Sequence, residues 1–197
     1  MGEFTYKTIA GNAEGLYKEK GSKFIALAYP VHNEEDVKRH IAEVKRAYHD
    51  ARHHCYAYAL GPEREQYRLN DDGEPSGTAG RPIHGQLLSK DVTDTLIIVV
   101  RYFGGIKLGV SGLLNAYKTA AKDALEHADI VERQVEEAHQ VSFPPLGMNK
   151  VMQVLKRDTV RITGQQYDEV CTILFSVRKR DAGNVLEALR RVEGAKL

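Results

Sequence analysis

The chain has 197 residues, of which 42% are hydrophobic and 28% charged, the composition of an ordinary globular protein with one or two domains. The 28 Lys and Arg nearly cancel the 27 Asp and Glu, leaving a net charge of +1. That balance excludes a largely disordered chain and a strongly basic nucleic-acid coat, so any anion site must be a local patch.

Residues 1–12, MGEFTYKTIAGN, contain no apolar run, and no secretory leader is expected. Short strands are predicted at 4–9, 16–20 and 23–31, with Gly-Asn at 11–12 and Gly-Ser at 21–22 as turns. Residues 33–49 are predicted to form an amphipathic helix. Val37, Ile41, Val44 and Tyr48 fall on one face, Asn33 is the expected N-cap, and Glu34, Glu35 and Asp36 suit the positive end of the dipole.

Strands are predicted next at 53–60 and 67–69, then a short helix capped by Thr78 and running through Ile83, Leu87 and Leu88. The β-branched run at 95–103, TLIIVVRYF, lacks alternation, the pattern of a strand covered on both faces. Its apolar core at 96–100 is far shorter than the roughly 20 residues of a membrane helix. A helix over 111–128 follows, with alanines that permit close approach to a sheet. Strands and helices mix without strict alternation, so the predicted class is α+β.

A simpler rhythm begins near residue 134, and the predicted domains are 1–133 and 134–197. Strand 138–143, a helix from Met148, strand 160–163, a turn at Gly164, strand 170–177 and a final helix give the order of a ferredoxin-like split βαβ unit. Cys171, Ile173, Phe175 and Val177 share one face by period two. The fourth strand of that unit falls on 195–197 and is expected to be incomplete.

Two loops carry the chemistry. NDDGEPSGTAGRP at 70–82 sets Asp71, Asp72 and Glu74 among glycines and prolines, an ordered, tightly turned loop. Close carboxylates serve acid–base work or a cation, or they act as turn residues that accept backbone N–H bonds. RYFGGIKLGVSG at 101–112 runs from a buried strand through glycines to a helix start. Its glycine amides and the helix N-terminus suit an anion, with Arg101 and Lys107 as the first cations and Arg81 and Lys118 behind them, or the glycines form a turn that packs the helix closely on the sheet. The spacing matches neither common nucleotide-binding glycine motif.

RHHC at 52–55 faces His53 and Cys55 one way and His54 the other, too few for a metal site, and no metal or cofactor is expected. The cysteines Cys55 and Cys171 point to a reducing compartment, and a cytoplasmic location without membrane contact is expected. The basic residues Arg161, Arg178, Lys179 and Arg180 read as solvated strand ends, without the aromatic platform of an RNA-recognition motif.

The segments GSKFIA at 21–26, ARHHCYAYALG at 51–61, NDDGEPSGTAGRPI at 70–83, RYFGGIKLG at 101–109 and SGLLNAY at 111–117 together resemble the Impact/YigZ family. The resemblance implies an N-terminal domain like ribosomal protein S5 domain 2, followed by a ferredoxin-like α/β plait. It also implies regulation of translation in eukaryotic members through partner binding, and nucleic-acid or ribosome binding in bacterial ones, so the expected partner is RNA, a ribosome or a translation factor. The expected anion-binding residues are Arg81, Arg101, Gly104, Gly105, Lys107, Gly109 and Lys118. The alternative is a hydrolase of a phosphate-containing or peptide substrate, working through Asp71, Asp72, Glu74 and His53. Two positions depart from the family pattern: His54 replaces its usual Asn, and Asn115 replaces an Arg beside the glycine loop.

Overall fold

The computed structural model describes residues 2–197, which form two compact units. The first comprises Tyr6–Arg133 and the second Gly2–Thr5 with Gln134–Leu197.

The first unit is built on a five-stranded antiparallel sheet. Its strands are β2 (Ala13–Glu19), β3 (Ser22–Pro30), β4 (His53–Leu60), β5 (Gln66–Asn70) and β6 (Thr95–Tyr102), in the order β2-β3-β6-β4-β5. Strand β1 (Thr5–Ile9) pairs instead with β7 (Ile130–Gln134). Central strand β6 is buried on both faces, as its unbroken apolar run predicts. Ile97 and Val99 point to one core, and Leu96, Ile98 and Val100 to the other.

Helix α1 (Glu34–Ala47) covers the second face with Val37 and Val44. Asn33 caps it by accepting the Asp36 N–H at 2.8 Å, as the sequence predicts. Helices α2 (Gly80–Ser89) and α3 (Gly109–Glu126) cover the first face. There Ala116, Ala120, Ala121 and Ala124 share a core with Ala26, Ala57 and Ala59, so small side chains on both sides let helix and sheet pack closely.

In the second unit β8 (Glu136–Phe143), β9 (Val160–Tyr167) and β10 (Cys171–Arg178) form an antiparallel sheet in the order β8-β10-β9. Helices α4 (Met148–Leu155) and α5 (Lys179–Arg190) pack on the face that Ile173, Phe175 and Val177 present. Lys196 forms a single antiparallel bridge to Ser142 on β8.

Four expectations need correction. Strand β7 was not predicted, because IVERQ is short, half polar and mostly exposed. Helix α2 begins at Gly80 with Ala79 and not Thr78 at its N-cap, and the Thr78 hydroxyl is spent on the Pro75 carbonyl at 2.6 Å. Helix α3 starts at Gly109, two residues before the predicted Ser111. Gly164 lies inside β9 beside a register shift and not in a turn: Gly164 pairs with Leu174 but Ile162 with Phe175, leaving Thr163 as the extra residue of a bulge. Among the described residues no helix is long and apolar enough to cross a membrane.

Candidate anion-binding cleft

Strand β6 ends at the bottom of a cleft. Arg101, its penultimate residue, carries a side chain that is 6% exposed and donates from Nη1 to Glu74 Oε1 at 2.5 Å. The Tyr117 hydroxyl, from α3, donates to the same oxygen at 2.7 Å. His53 at the start of β4 brings Nε2 to 3.6 Å from it. The other ring nitrogen of His53, Nδ1, lies 2.7 Å from the Asp72 carbonyl, which can only accept, so Nδ1 carries a proton. The Arg101 guanidinium lies over the rings of Phe24 and Phe103, 5.4 and 5.5 Å from their centroids. Its Nε is buried with no hydrogen-bond partner.

The 70–82 loop is shaped by its carboxylates. Asp71 accepts the Gly77 N–H on one oxygen at 2.9 Å, and those of Ala79 and Gly80 on the other at 3.1 and 2.8 Å. Asp72 stands at φ +39° and accepts the His54 N–H at 2.7 Å. Both carboxylates therefore hold backbone, and of the three only Glu74 lines the cleft.

The glycine loop closes the other side. Gly104 donates its amide to Ser22 Oγ at 3.2 Å, and a Cβ on it would sit 2.0 Å from the Gly21 carbonyl carbon. Gly104 is thus spent on packing against the β2–β3 turn. Gly105 and Gly109 stand at φ +89° and +73°, where an L side chain is strained. They turn the chain so that Lys107, Leu108 and Gly109 face the cleft, while Gly105 does not line it. Helix α3 has no side-chain cap and no acidic residue in its first turn. Its leading amides are unsatisfied by the helix itself and carry the positive end of the dipole.

The two loops share one cleft of about 360 Å³, lined by Arg52, His53, Glu74, Arg101 and Lys107 among apolar neighbours. Three permanent cations face a single carboxylate there, and that carboxylate is already paired. An adjoining cleft, sharing Val110, holds Arg81, Lys118 and Asn115. The expected cations therefore divide, with Arg101 and Lys107 in the first cleft and Arg81 and Lys118 in the second. Asn115 Nδ2 donates to the Tyr17 hydroxyl at 3.3 Å.

Cys55 lies under this site, fully buried, with its thiol 3.0 Å from the Asp71 carbonyl and 3.3 Å from the Tyr117 hydroxyl. Burial pushes the Cys55 thiol far above its ordinary range, so the reactive thiolate is suppressed. Burial also raises the Tyr117 phenol, which stays protonated and keeps donating to Glu74. Among the described residues no three His, Cys, Asp or Glu side chains converge on a metal position. Arg52 and Phe103 were missed by the sequence reading. Both lie inside segments that the sequence singles out, 52–55 and 101–112, where their neighbours drew the attention.

A match to the Impact N-terminal domain covers residues 20–125. The IMPACT family member YvyE of Bacillus subtilis is 33% identical over 165 residues, spanning 84% of this chain and 76% of its own. The IMPACT family member YigZ of Escherichia coli is 41% identical over 108 residues, spanning 54% of this chain and 53% of its own. A solved structure described as a hypothetical protein superposes with a TM-score of 0.80 at 26% identity, over 96% of this chain and 93% of that one. With the family match spanning both chemistry-bearing loops, the chain belongs to the IMPACT family.

Proposed function

We propose that the protein is a non-catalytic binding protein of translation, and that the cleft between the 70–82 and 104–109 loops grips a phosphate-bearing RNA or ribosomal surface. The observation that carries this reading is Arg101: buried, with Nε unpartnered, in the wall of a cleft that also holds Lys107 and the uncapped start of α3. An oxyanion supplies acceptors for Lys107 and the leading amides of α3, and the buried Arg101 charge adds to the positive field there. The place in translation rests on family membership, because regulation through partner binding is what the resemblance implies for eukaryotic relatives.

The order β8-β10-β9, with Lys196 bridging the outer side of β8, supports reading the second unit as a ferredoxin-like plait with a one-residue fourth strand. The first unit, an antiparallel sheet with two helices on one face and one on the other, is read by resemblance as an S5 domain 2-like fold.

Filter retention of a short RNA tests the site. Wild type should retain it at low salt and lose it steeply as salt rises, with a slope set by the phosphates neutralised. Lys107→Glu should weaken retention at every salt concentration. Retention equal to wild type at low salt would refute the site.

A further inference from the structure

The cations occupy only part of the cleft; Pro75, Phe103, Leu108, Val110 and Leu113 form the rest of its wall. Phe103 is 40% exposed, and the Arg52 guanidinium lies 5.5 Å from its centroid. A bare phosphate has no use for an aromatic wall. A polyanion gripped along its length needs a band of cations, whereas this cleft sets three cations beside five apolar residues. A ligand with a planar, apolar-faced ring at one end and an oxyanion at the other uses both parts. Nucleobases stack on aromatic rings and on guanidinium planes alike. The volume, about 360 Å³, falls within the roughly 300–1,000 Å³ typical of sites for small molecules. A duplex keeps its bases inside its own stack and has none to insert.

Resting on the anion-binding reading above, we propose that this cleft takes a single nucleotide with an unpaired base. Its phosphate sits at Lys107 and the first turn of α3, and its base lies against the Arg52–Phe103 pair. The nucleotide comes either free or as the 5′-phosphorylated end of a single strand.

Titration calorimetry of the full chain with AMP, ribose 5-phosphate, a 5′-phosphorylated RNA octamer and its blunt duplex tests this. AMP should bind about tenfold or more tightly than ribose 5-phosphate, the gain expected of one stacked base. Phe103→Leu should erase that gap, and Arg52→Ala, at an exposed position, should reduce it. Preference for the octamer over AMP identifies a strand end, and equal affinity identifies a free nucleotide. AMP and ribose 5-phosphate binding alike, or the duplex matching the octamer, would overturn the nucleotide proposal and leave the anion site standing. No binding by any of the four, together with RNA retention indifferent to Lys107→Glu, would overturn the anion site itself.

Discussion

Arg101 and Glu74 form a buried ion pair, Nη1 to Oε1 at 2.5 Å, with side chains 6% and 3% exposed. It joins the end of β6 to the turn after β5 and so fixes the floor of the cleft. Removing one member of such a pair leaves an uncompensated buried charge, at a cost of about 3–5 kcal/mol. Arg101→Met should lose stability of that order in urea unfolding, and Arg101→Met combined with Glu74→Gln should recover part of it. A double variant no more stable than the single one would show that the pair is not the source of the loss.

Asp71 organises the opposite wall through three backbone N–H groups. Asp71→Ala orphans the donors of Gly77, Ala79 and Gly80, and about 1–3 kcal/mol of stability should go with them. Hydrogen exchange should quicken at those three amides. Undiminished protection there would mean that the glycines and prolines hold the loop unaided.

Asn115 lines the adjoining cleft together with Arg81 and Lys118, at a position where the family resemblance implies an Arg. Asn115→Arg should tighten binding to single-stranded RNA and steepen the salt dependence by about 0.7 per added phosphate contact. A slope unchanged by the new cation would place the RNA path away from this cleft.

Glu136, in the second unit, gives a pH signature. The Ser176 hydroxyl and the Arg161 guanidinium donate to its Oε2 at 2.5 and 3.0 Å, and in that order they hold its carboxyl below the ordinary range. A carboxyl lowered by folding stabilises the protein above its unfolded pKa, and that contribution is lost as pH falls through the folded pKa. The melting-temperature gap between wild type and Glu136→Gln should therefore hold steady near neutrality and close on acidification. A gap independent of pH would contradict this.

Much of the fold could be read from side-chain periodicity. The β6 run and the Cys171, Ile173, Phe175, Val177 alternation are long-range burial written locally, and Asn33 with its acidic followers is a self-contained cap. What escaped depended on contacts across the chain. Thr78 looks like a cap until Pro75 claims its hydroxyl, and Gly164 looks like a turn until its neighbours pair with β10. Arg101 and Glu74 were each named from their own loops, yet nothing in either segment says that they meet. The same holds for Gly104, whose amide belongs to Ser22, 82 positions away. Phe103 went unread because an aromatic at a strand end usually belongs to the core; here the chain leaves the sheet before the ring is covered.

Amide NMR shifts of the full chain during titration with AMP decide whether the amides leading into α3, together with Lys107, receive an anion. Saturable shifts are expected at residues 106–111, with the Gly104 amide, already bonded to Ser22, moving little. Shifts confined to other parts of the chain, or none at saturating AMP, would contradict anion binding there.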